Sequence, residues 1–357
     1  MARTVFHLRL RPAAGSRPAD LFNKILQSRE QIAPDQRFQC EIGNSGILAE
    51  QVDESIVVLL SDGFSSALDP ETDGPLEHYT DDNHMCNLGS GIEEHRAWKT
   101  TRVYEIIGNH PRLVRFIVRD PWTALPILEK PWSTLDGFLE ERYDAMYAPR
   151  SEGGRGSYLK PAYRPLIFQW ALQVLTALNS IHSKDVIVGD LHTHVCWLQS
   201  PDSICILGFL DALYMEPMYA MRYTNDTWGC EYNFPFHPSL IPNKGNGPGG
   251  RWDRDLATVQ TDLFLWAGLV YELLTGTWPA NERGLDEVRV MLTNKLWPRL
   301  GEEKLDTIMT KCWEYGYGSA DEVKADLRRV LAAEGLVVGG VEGDEIQGLD
   351  VAQILAG

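Results

Sequence analysis

From Pro165 to Ser183 the chain reads PLIFQWALQVLTALNSIHS, and Leu166, Trp170, Val174, Leu178 and Ile181 recur at helical spacing. The pattern then shortens. Val186–Val188, Val195–Leu198 and Ile204–Leu207 are brief apolar pieces separated by polar turns, which predicts a helix, a loop and a hairpin of short strands. The longest apolar stretch, Leu263–Leu274, is interrupted by Glu272. It is too short to span a bilayer and reads as a buried core helix. Near the start, Leu21, Phe22, Ile25 and Leu26 fall at helical spacing behind Asp20, a candidate cap. Three polar stretches read as loops or inserts: the acidic Asp69–Asp82, the Gly/Ser/Arg-rich Tyr147–Tyr158, and Asn243–Gly250.

Composition narrows the possibilities. The 357 residues suit one large two-lobed domain or two small ones, and 44% hydrophobic residues is ordinary for a globular core. A net charge of −17 and a pI near 5.0 argue against nucleic acid or an anionic membrane as the main partner. Six scattered cysteines without a C-x-x-C point to reduced thiols and an intracellular location, cytoplasmic or nuclear. The N-terminal MARTVFHLRLRP has too short an apolar stretch for a secretory signal.

Within Ile181–Leu210, Val188-Gly189-Asp190-Leu191 falls on the H-R-D-L of the protein-kinase catalytic loop, and Val195 falls on its Asn. Gly208-Phe209-Leu210 falls on D-F-G at the family's usual gap. Thr261–Pro279 resembles the large-lobe core helix, with Asp262 in place of the Asp that anchors the catalytic-loop backbone. Leu305–Leu327 resembles the closing helices of a fungal-type Ser/Thr kinase group, and Pro235 or Pro238 best matches A-P-E, with no Glu following. The resemblance covers about residues 40–331. It implies an α+β, bilobal fold with a small β-rich N-lobe and a larger, mainly helical C-lobe. The divisions it implies are an extension (1–40), an N-lobe (41–130), a C-lobe (131–335) and a tail (336–357). VGDLHTH also resembles the H-G-D-L-H-x-x-N loop of small-molecule phosphotransferases such as the aminoglycoside kinases.

The resemblance is to a degenerate member, a pseudokinase. Of the catalytic Asp, the Asn and the metal-binding Asp, the chain keeps Asp190 alone. Gly43 and Gly46 stand where a Gly-rich loop would be, without its spacing, and Glu129 stands at the hinge. Val58 or Leu59 occupies the place of the phosphate-binding Lys, and Thr101 or Thr100 that of its Glu partner. From Phe38 to His95 there is no Lys or Arg against 13 Asp and Glu, so this stretch has no ammonium for a nucleotide phosphate and would repel ATP-Mg. Lys99 reads as a surface lysine, though it could reach a phosphate from its helix. Asp211 could replace the missing metal ligand by a slipped register. His192, His194 and Cys196 form H-x-H-x-C, with His182 and Cys205 nearby. These are zinc-ligand types, but their spacing matches no standard site, and no metal is expected.

The reading is therefore a scaffold or allosteric module that binds a protein partner through its surface, with no cofactor expected. In the alternative, a residual Ser/Thr kinase uses Asp190 as base and takes ATP and Mg²⁺. A third possibility is a relative of the small-molecule phosphotransferases.

Overall fold

The computed structural model describes residues 39–42, 47–51, 56–61, 92–119, 126–149, 157–207, 209, 212–216, 221–223, 257–281 and 283–356. The chain is mixed α and β with small sheets and divides into two compact units. The first holds the described residues up to Pro131 together with Phe209, and the second holds the others. Among the described residues no helix is long and apolar enough to cross a membrane.

The first unit is built on strands β1 (Gln39–Ile42), β2 (Ile47–Gln51), β3 (Ile56–Ser61), β4 (Phe116–Arg119) and β5 (Pro126–Glu129). They form one antiparallel sheet in the order β1-β2-β3-β5-β4. Between β3 and β4 runs helix α1 (Ile92–Ile107), which packs against β3 and β5. Val103, Tyr104 and Ile107 of α1 are buried, as are Ile127 and Leu128 of β5. The Tyr104 ring stacks on Phe116 at 5.6 Å and takes Phe209 edge-on at 5.0 Å. Lys99 is not a surface residue: it is 4% exposed, next to the buried Thr100 and Thr101. Tertiary packing has buried this turn against the lysine's own preference for water.

The second unit opens with β6 (Ser133–Thr134) and α2 (Leu135–Met146), capped by the Thr134 hydroxyl, which accepts from Gly137 N at 3.0 Å. The Tyr147–Tyr158 stretch leaves and returns as an antiparallel pair, β7 (Tyr147–Pro149) with β8 (Ser157–Leu159). Helix α3 (Arg164–His182) follows, then β9 (Val186–Ile187), β10 (Cys196–Ser200), β11 (Ser203–Ile206), β12 (Leu213–Glu216) and β13 (Met221–Tyr223). Two small sheets result, β11-β10-β6 and β13-β12-β9. The helices α4 (Val259–Thr275), α5 (Leu285–Thr293), α6 (Glu303–Trp313) and α7 (Ala320–Ala333) complete the body.

Helix α3 is the centre of this unit. Every residue from Leu166 to Leu178 is buried, so it is enclosed on all sides rather than striped. Each fully buried Leu, Ile or Val there is worth about 1.5–3 kcal/mol relative to exposure. Helix α4 packs on it, with Trp266 wholly buried and its Nε1 donating to Ala171 O at 3.1 Å. Thr258 and Thr261 close the start of α4 as a capping box, and Gly276 ends it at φ +71°. A Cβ on Gly276 would lie 2.8 Å from Ser157 Oγ and 3.1 Å from the Tyr143 ring, so space and backbone both demand glycine.

The residues after Gly335 form a short appended element that packs on the second unit. Strands β14 (Val338–Gly339) and β15 (Glu345–Ile346) pair, and Ile346 N donates to Gln169 Oε1 on α3 at 2.7 Å. Lys324 Nζ donates to Glu342 O, Asp344 is buried, and Arg142 donates to Leu355 O in the last helix, α8 (Val351–Ala356). Arg164 forks onto Glu302 and reaches Glu334, tying the start of α3 to the start of α6 and the end of α7.

Candidate functional site

The loop from Val188 to Val195 connects β9 to β10 in the larger unit. Asp262, one residue past the capping Thr261, lies in the first turn of α4 and is 0% exposed. Its Oδ1 accepts from Gly189 N at 2.8 Å, and its Oδ2 accepts from Val188 N at 2.8 Å and faces His182 Nε2 at 2.8 Å. A carboxylate buried this deeply is stable only when such donors replace water. Asp262 thus anchors the loop backbone, as its place in the sequence leads one to expect. Gly189 sits at φ +79°, the left-handed region where a side chain is strained. An Arg here, as in H-R-D, would not fit this backbone without cost.

Asp190 follows, with its side chain 16% exposed. Its Oδ2 lies 3.4 Å from His192 Nε2, beyond the usual range of an N–H···O hydrogen bond. His192 Nδ1 accepts from His194 N at 3.2 Å, which leaves the ring proton on Nε2, directed at Asp190. His194 turns the other way, with Nδ1 3.7 Å from Asp136 Oδ2 on α2. Burial lowers the His194 pKa more than the Asp136 carboxylate raises it, so this imidazole is neutral at pH 7.

The H-x-H-x-C residues do not converge. Each histidine faces a different carboxylate, and Cys196 is wholly buried with its thiol pKa pushed up by that burial and by Glu272. Cys205 Sγ donates to Trp197 O, and His182 is engaged with Asp262. Among the described residues no three His, Cys, Asp or Glu side chains gather as a metal site. The buried Val195 has no side-chain oxygen to offer a metal ion, and neither has Gly208.

Glu129 ends β5 with its side chain exposed, 3.7 Å from Arg115 Nη1, a surface ion pair worth little. Gly43, Gly46, Asp211, the Pro235 and Pro238 matches and the Leu21–Gln27 helix lie outside the described residues.

Sequence reasoning missed the electrostatics of Glu272, noted only as an interruption of an apolar stretch. Its Oε2 is shut off from solvent without a hydrogen-bond partner, although other atoms of the residue reach the surface. Burial, then the Asp136 charge, raises its pKa well above the ordinary carboxyl value. Tyr147 and Cys196 are the other titratable groups it influences. Because the folded pKa is raised, the unfolded chain gives up this proton first, and stability falls as pH rises from 4.5 towards the folded value. In Glu272→Gln that slope is expected to flatten. Melting curves across pH 4.5–7 check it, with the variant gaining on the wild type as pH rises; parallel curves would exclude a buried acid here.

Compared with models of known protein families and with curated proteins, the chain matches none.

Proposed function

We propose that this is a kinase-like protein in which phosphoryl transfer has been lost and whose role is to bind a protein partner as a scaffold or allosteric module. The observation that carries the reading is the Asp262 anchor. A buried carboxylate holds Val188 N and Gly189 N and so presents Asp190, while Val195 and Gly208 stand where metal ligands are required. The sheet order β1-β2-β3-β5-β4 with α1 between β3 and β4 supports a β-rich small lobe, and the enclosed α3 and α4 support a helical large lobe. Catalysis of phosphoryl transfer rests on positioned charge, and a base without a held phosphoryl donor has nothing to transfer.

A second reading, a relative of small-molecule phosphotransferases, is favoured by Gly189 at φ +79°, which matches the Gly of H-G-D-L-H, and by His192 beside Asp190. One measurement tests both. The melting temperature is expected to stay unchanged in millimolar ATP with Mg²⁺ or Mn²⁺. A ligand at about 100 times its Kd would add about 2.7 kcal/mol of stability, an easily visible rise. A saturable rise would count for the kinase alternative, and phosphate transfer that Asp190→Asn abolishes would establish an enzyme and overturn the pseudokinase reading.

A further inference from the structure

We propose that a groove in the larger unit, between the end of α4 and the turn after α5, docks an acidic peptide segment of a partner protein that carries an aromatic or aliphatic anchor. The inference rests on the partner-binding reading above and assigns that reading a surface.

The groove encloses about 840 Å³ and is walled by Tyr271, Trp278, Met291 and Trp297. This is room for several side chains. Trp297 is fixed in place: its Nε1 donates to Glu314 Oε1 at 3.2 Å, and its ring packs on Trp313 and Phe264 at 5.9 and 6.0 Å. A rigid aromatic wall of this kind is what anchor side chains bury against in protein interfaces. Leu296, on the groove, and Val290, on α5, are each 56% exposed. Their apolar surface has no cover within the described residues.

Charge selects the occupant. Among the described residues, three cations, Arg283, Lys295 and Arg299, line the groove against one carboxylate, Glu287, with Glu314 beside Lys295 at its edge, in a chain whose net charge is −17. An acidic segment is repelled by most of this protein and attracted here. The cations are open to exchange: Arg283 is 3.9 Å from Glu287, Lys295 is 4.0 Å from Glu314, both pairs are exposed, and Arg299 makes no ion pair among the described residues.

The backbone adds an independent sign. Leu296 N donates to Met291 O and Lys295 N to Leu292 O, the closure that ends a helix on a left-handed residue. That residue is usually glycine, yet here it is Lys295, at φ +54°. Ala280, across the groove, is also left-handed, at φ +64°. Strained non-glycine residues gather where a ligand is clamped.

The test is fluorescence anisotropy on the full chain at low salt, with a short fluorescein-labelled peptide of Asp and Glu flanking a Leu-Phe pair. Saturable binding that added salt weakens is expected. Lys295→Gly is expected to weaken it about fivefold while raising the melting temperature, since glycine relieves the strained turn. A purely structural lysine would not separate the two in this way. Leu296→Ser is expected to weaken the Leu-Phe peptide but not one with Ser-Ser in its place. The proposal fails if a peptide with Lys for the acids binds equally, if the variants bind like wild type, or if inorganic phosphate competes as well as the peptide. It fails too if the wild type is a dimer that Arg299→Glu dissolves, which would assign the groove to a second copy. A dead groove in a protein inert to ATP overturns this inference alone, whereas phosphate transfer that Asp190→Asn abolishes overturns the pseudokinase reading whatever the groove does.

Discussion

Asp262→Ala is expected to lower the unfolding free energy by about 4 kcal/mol, read from urea titration with an unchanged denaturant slope. The carboxylate is wholly buried and serves Val188 N, Gly189 N and His182 Nε2 together. Alanine leaves two buried amides without an acceptor, and each such group costs about 1–3 kcal/mol. Asp262→Asn keeps one oxygen but turns an NH2 towards an N–H or the imidazole, so about half of the loss is expected. The consequence reaches function, because the same two amides position Asp190. A loss below about 1 kcal/mol in Asp262→Ala would mean that the loop is held by something other than this carboxylate.

Gln173→Ala is expected to cost about 3 kcal/mol. Gln173 sits on α3 at 1% exposure, and its two ends do different work. Oε1 accepts from Ile204 N at 2.8 Å, and Nε2 donates to Asp202 O at 3.1 Å. One turn earlier, Gln169 Nε2 donates to the same Asp202 carbonyl. The pair pins the turn between β10 and β11 onto the central helix. Truncation removes both bonds and opens a cavity. Gln173→Leu fills the space but orphans the Ile204 amide, so it recovers only part of the loss. Hydrogen exchange at Ile204 distinguishes the mechanisms: it should quicken in both variants if the bond matters, and in neither if volume alone does.

These two residues mark what the sequence could and could not disclose. Helices α3 and α4 were legible because apolar spacing is local, and Asp262 was legible because it stands in a recognisable frame with the Val188–Leu191 loop. Gln169 and Gln173 were not, since their partners lie 29 to 177 residues away and glutamines in an apolar helix give no hint of where they point. Lys99 was misread for the same reason: exposure is decided by what packs on a turn, not by the turn itself. The groove was hidden because local propensity gives no reason to place lysine or alanine in a left-handed turn. Nor could the carboxyl of Glu272 be known to face inward.

The contact between Ile346 and Gln169 spans 177 residues of chain and bears on how the protein is made. During synthesis α3 emerges while α4 and β15, which cover parts of it, are still to come. The cover on α3 is therefore complete only once the residues around Ile346 have left the ribosome. Until then the nascent chain displays an uncovered core helix, the kind of surface that chaperones hold.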